Sequence, residues 1–87
     1  MAKKSDNELG RYKEIGLKIG YYRRRKGLTQ GTLAEIVGIS ANYMGSIERG
    51  NGEKSYSMDI MLKIAEALDV SVGDLTDKKD IGTWLRK

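Results

Sequence analysis

With 87 residues the chain has room for one compact domain and not two, since domains typically take roughly 100 to 200 residues. Hydrophobic residues make up 39% and charged residues 32%, a balance that folds around a small core. The absence of Cys and His excludes disulfides and thiolate metal sites and removes the commonest general base and a common zinc ligand. No apolar run approaches the roughly 18 residues of a membrane span, and Met1 to Leu9 is polar where a signal peptide would be apolar. A cytoplasmic location is expected. From Met1 to Tyr56 there are eleven Lys and Arg against six Asp and Glu, net +5, and from Ser57 onward the balance is −1. With a pI near 9.4, that basic N-terminal part matches the electrostatic footprint of a nucleic-acid binder.

Residues 1–10 (MAKKSDNELG) show no periodicity and are expected to form a flexible arm. Ile15, Ile19 and Tyr22 fall at i, i+4 and i+7 and predict a first helix from about Tyr12 to Lys26, stopped by Gly27. Gly16 and Gly20 each weaken that helix by up to about 1 kcal/mol relative to Ala, so packing must hold it, and small residues there permit close helix approach. Thr29 caps a second helix, Gln30 to Val37, with Leu33, Ala34 and Val37 on one face. Gly38 breaks it. Ser40 caps a third helix reaching Glu48 or Arg49, with Tyr43, Met44 and Ile47 at helical spacing and Gly50 past its end. Asn51 to Tyr56 is a polar loop. Ser57 opens a fourth helix to about Leu68 through Met61, Ile64, Ala65 and Leu68, and Ser71 with Asp74 fits a capping box for a short fifth helix from Val72. Nothing alternates at period two for long enough to build a sheet.

Two short helices joined at Gly38 match a helix-turn-helix, in which the second helix enters the DNA major groove. Ala34 is small where the helices would cross, Gly38 supplies a left-handed turn, Ile39 plugs the turn, and Met44 and Ile47 seal the second helix onto the first. The stretches IGLKIGYYRRRKGLTQGTLAEIVGIS, YMGSIERG and MLKIAEALDVSVGDL, within Ile15 to Leu75, resemble the helix-turn-helix domain of the lambda Cro and cI repressors, the xenobiotic-response-element family. Gly31 and Gly45 depart from it, standing where polar, helix-favouring residues are usual. The loop between Gly50 and Ser57 is also longer and lacks the usual Pro.

The resemblance implies an all-α, five-helix, lambda-repressor-like domain over residues 11–76, followed by a tail or short helix at 77–87. It implies a sequence-specific regulator of transcription, repressor-like, that binds operator DNA as a homodimer and needs no cofactor or metal. By the same resemblance Ala41, Asn42 and Ser46 on the outer face of the third helix read base edges. Asn42 is the strongest, since its amide can pair bidentately with adenine. Gln30, at the start of the second helix, meets a phosphate. Tyr43, Arg49 and Lys54 are further phosphate candidates. Arg23 lies on the buried side of the first helix, and the resemblance pairs it with Glu48 as a structural ion pair. Leu75, Ile81, Trp84 and Leu85 exceed what a small core needs and suggest a dimer contact. Ile81, Trp84 and Leu85, at i, i+3 and i+4, equally suit an antitoxin- or antirepressor-type module that sequesters a protein partner. Phosphate-cradling loops and catalytic constellations are absent, so no enzymatic activity is expected.

Overall fold

The computed structural model describes residues 6–50 and 56–77, with side chains from Gly10 onward; Lys54 and the tail residues Ile81, Trp84 and Leu85 lie outside this set. Five helices follow in order: α1 (Asp6–Arg25), α2 (Gln30–Val37), α3 (Ala41–Arg49), α4 (Met58–Leu68) and α5 (Val72–Thr76). The described residues contain no strand, and none of their helices is long and apolar enough to cross a membrane.

Part of the expected ten-residue arm is helical instead, because α1 begins at Asp6. Once a helix is fixed by packing, extending it backwards adds a hydrogen bond per residue without a new nucleation step, and no proline stands in the way. Elsewhere the capping residues stop and start the chain as their chemistry dictates. Thr29, Ser40, Ser57 and Ser71 each accept a hydrogen bond from the backbone N–H three residues on, satisfying a donor the helix cannot. Ser71 and Asp74 complete a reciprocal capping box.

The apolar stripes converge on one core. Ile19, Leu33, Met44, Ile64 and Leu75 are completely buried, with Val37, Ile47, Met61 and Leu68 close behind. At about 1.5–3 kcal/mol for each fully buried aliphatic side chain, this cluster is the main force holding the helices together. Leu75 therefore belongs to the chain's own core and is not available to a dimer contact, because α5 packs on both α1 and α4.

Two cations of α1 hold the end of α5. Lys18 is fully buried and its Nζ donates to the Asp77 carbonyl, while Arg11 Nη2 donates to the Thr76 carbonyl at 2.9 Å. Terminal carbonyls carry the negative end of a helix dipole, so buried cations are compensated there.

The seat of α3 on α1 depends on missing side chains. A Cβ on Gly16 would stand 2.6 Å from the Ile47 carbonyl oxygen and closer still to that of Glu48. Gly50, at φ 61° and in the left-handed region, has the backbone of Tyr12 and Lys13 2.5 Å from where its Cβ would be. The C-terminal end of α3 thus lies backbone against backbone on α1, which fixes the direction in which α3 leaves the core.

Candidate nucleic-acid interface

The turn between α2 and α3 forms because Gly38 adopts φ 88°, ψ 30°, a left-handed conformation that costs other L-residues energy. The Gly38 and Ile39 N–H groups both donate to the Ala34 carbonyl, at 2.8 and 3.0 Å, closing α2 before Ser40 opens α3. Ala34 is buried and small, so α3 packs directly across α2.

The inner side of α3 is Met44, Gly45 and Ile47, all buried. Its outer side carries Ala41 and Asn42, both exposed, then Ser46, half-buried, and Arg49, exposed. Asn42, Ser46 and Arg49 stand at i, i+4 and i+7 and so share one stripe. Arg49 Nη2 lies 3.5 Å from Ser46 Oγ, which lays the guanidinium along the helix towards that stripe. Tyr43 stands beside it, half-buried and packed against the core.

Gln30 opens α2. Thr32 N–H is taken by the Thr29 hydroxyl at 3.0 Å and Leu33 N–H by the Thr29 carbonyl at 3.0 Å. The N–H groups of Gln30 and Gly31 are left for an acceptor from outside, at the positive end of the helix dipole. A phosphate suits that end in charge and geometry.

Behind this surface lies an ion pair. Arg23 Nε donates to Glu48 Oε2 at 2.7 Å and Arg23 Nη2 to Oε1 at 3.1 Å, a bidentate contact whose side chains are only 12% and 8% exposed. Arg23 Nη1 also donates to the Leu28 carbonyl at 2.9 Å. One guanidinium therefore ties α1, the linker into α2 and α3. Gln30 joins the same group, its Nε2 donating to Glu48 Oε1 at 3.1 Å, a link that spacing alone does not reveal. Gly20 leaves the necessary room, because its Cβ would approach Glu48 Oε1 to 3.1 Å.

The exposed end of α1 adds charge close by in sequence. Arg24, Arg25 and Lys26 are exposed. Arg25 lies 5.6 Å above the Tyr21 ring and donates to its hydroxyl at 2.9 Å, so Arg25 is partly occupied within its own helix.

Comparison with known proteins agrees with this geometry. The helix-turn-helix family HTH_3 matches residues 19–75. The transcriptional regulator SinR of Bacillus subtilis is 42% identical over 65 residues, covering 75% of this chain and 58% of SinR. The chain thus spans less than two thirds of that relative. Among solved structures, SinR in complex with DNA superposes with a TM-score of 0.66 at 41% identity, over 72% of this chain and 98% of that one. The restriction-modification controller protein C.AhdI from Aeromonas hydrophila superposes with a TM-score of 0.72 at 33% identity, over 79% and 97%. From the turn at Gly38, the sealed inner face of α3 and these matches together, the chain belongs to the helix-turn-helix family HTH_3 of transcriptional regulators.

Proposed function

We propose that this chain binds duplex DNA in a sequence-specific manner and regulates transcription, acting as a repressor-like factor without catalytic activity of its own. The observation that carries the reading is the two-sided character of α3. Met44 and Ile47 anchor it in the core, while Ala41, Asn42 and Ser46 face outward beside the open N-terminus of α2. A helix held in this way can enter the major groove, with Asn42 reading adenine and Ala41 a thymine methyl. Gln30, Tyr43 and Arg49 then meet phosphates on either side of the groove, positioning the helix without reading sequence. Lys54, outside the described residues, is assigned to the same backbone-contacting group by its charge and its place in the loop after α3.

The chain acts as a homodimer in this reading. Support comes from α4, where Met58 and Leu62, one turn apart, are 63% and 52% exposed and form a small apolar strip that a second copy can cover. A DNA-binding regulator works where the chromosome is, in the cytoplasm of a bacterial cell. Selection of bound duplexes in vitro at a stated salt concentration tests both sequence specificity and dimerisation. The expected outcome is an inverted repeat with half-site centres about 34–36 Å apart, one helical turn; recovery of unrelated sequences at the level of random duplex overturns the reading.

A further inference from the structure

We infer that Glu48 is a positioning residue for DNA binding as well as a stability element, because its carboxylate sets which edge of the Gln30 amide faces the nucleic acid. The inference rests on the proposed phosphate contact of Gln30 and extends it to a residue that itself touches no DNA.

The argument starts from hydrogen-bond capacity. An ionised carboxylate only accepts, whereas a glutamine amide has one accepting and one donating end. Glu48 Oε1 receives both Arg23 Nη2 and Gln30 Nε2 at 3.1 Å. The Gln30 end beside it must therefore be the NH2 group. The amide cannot flip without setting oxygen against oxygen, so its carbonyl is held on the far side, 3.5 Å from where a Cβ on Gly45 would stand. One N–H of the amide is consumed by Glu48 and the other stays available as a donor, which is the polarity a phosphate oxygen requires.

The carboxylate is itself fixed. Arg23 grips it through two bonds and is anchored on the Leu28 carbonyl, and the Glu48 backbone lies against Gly16. A chain of contacts thus runs from the packed face of α1 through Arg23 and Glu48 to Gln30 at the start of α2. A glutamine side chain free to rotate would lose entropy on meeting DNA; this one is already arranged in the free protein. Gly45 contributes by leaving open the space into which the Gln30 carbonyl and the Arg49 guanidinium project.

Gln30 is the sole glutamine of the chain, beside three asparagines, so its side-chain NH2 signal is identified by correlation with its own Cγ and Cδ. In the free protein the proton held by Glu48 is expected to exchange with water about tenfold more slowly than those of a free glutamine amide. The second measurement is the affinity of a short duplex DNA of fixed sequence at fixed salt. Gln30→Ala is expected to weaken it about threefold to tenfold, the worth of one hydrogen bond. In a background carrying Arg23→Leu and Glu48→Leu together, which removes the carboxylate without stranding the guanidinium, the same change is expected to have almost no effect. Equal losses in both backgrounds, or an unprotected amide in the wild type, would overturn the positioning role and leave the phosphate contact standing. No loss in the wild-type background would instead remove the phosphate contact and the inference with it. If the double-leucine background does not fold, amide exchange in the wild-type protein decides alone.

Discussion

Asn42 and Glu48 lie on different faces of α3, and opposite physics governs them. Asn42 is exposed and contributes little to folding, whereas the Glu48 side chain is 8% exposed and paired with Arg23. Removing one partner of a buried pair leaves an uncompensated charge and costs about 3–5 kcal/mol. Glu48→Ala is therefore expected to lower the urea midpoint severely or to prevent folding, and an unchanged midpoint would show that the pair carries no stability. Tyr56 poses the converse case. Its hydroxyl is buried without a hydrogen-bond partner among the described residues, and burial, with smaller contributions from Tyr12 and Tyr43, pushes its pKa up to about 12. Since an unfolded tyrosine titrates near 10, the unfolded chain releases this proton first, and stability falls as pH rises from about 10 to about 12. Tyr56→Phe is expected to be neutral or to stabilise by about 1 kcal/mol at pH 7 and to flatten that alkaline decline, as pH-dependent thermal melts would show. At this scale the sequence is only partly legible. Arg23 lies on the apolar side of its helix and the resemblance pairs it with Glu48, but the Gln30 link crosses between helices and has no local signature. Lys18 does have one: it occupies the i+3 place of the Ile15, Ile19 and Tyr22 stripe, where a cation buried against the end of α5 looks like a charged interruption.

Element by element, the helices and caps follow from local chemistry: each of α2 to α5 starts after a Ser or Thr that accepts from the N–H three residues on. Those ends are readable because a helix must find partners for its terminal N–H groups within a few residues. The start of α1 is not, because helix extension into residues 6–10 depends on cooperativity and not on a cap. Glycines separate what is local from what is tertiary. Gly31 has no neighbour closer than the Thr29 hydroxyl at 3.8 Å from its Cβ position, whereas the Cβ of Gly16 would enter the carbonyls of α3. Gly31→Ala is thus expected to stabilise by up to about 1 kcal/mol through helix propensity. Gly16→Ala has the same propensity gain and is expected to destabilise by about 1–3 kcal/mol or more, since backbone must move. Denaturant titrations of the two variants should shift in opposite directions; a shared direction would mean that α3 is not seated on α1 in this way.

Across the whole molecule, the core and the surface divide the same five helices between folding and recognition. α1 and α4 enclose α2 and α3 from behind, α5 closes the bottom with Leu75 completely buried, and the outer face of α3 beside the N-terminus of α2 stays outside the core, the face proposed for DNA. The helix-turn-helix fold was legible because the α2–α3 pair combines five constraints at once: Ala34, Gly38, Ile39, Met44 and Ile47. The expected dimer contact was less so: Leu75 looks like surplus apolar surface in the sequence but fills the core, because α5 folds back onto α1 and α4. The central claim, that α3 reads bases while the start of α2 holds the backbone, meets its most direct test in one binding experiment. Wild type, Gln30→Ala and Asn42→Ala are titrated against a selected duplex and its single-base variants at one ionic strength, because phosphate contributions change steeply with salt. Gln30→Ala should weaken every duplex alike, and Asn42→Ala should abolish discrimination of about 1–3 kcal/mol at one base pair per half-site while leaving non-specific binding intact. A uniform loss for Asn42→Ala, or a base-specific loss for Gln30→Ala, would contradict the assignment of the two faces.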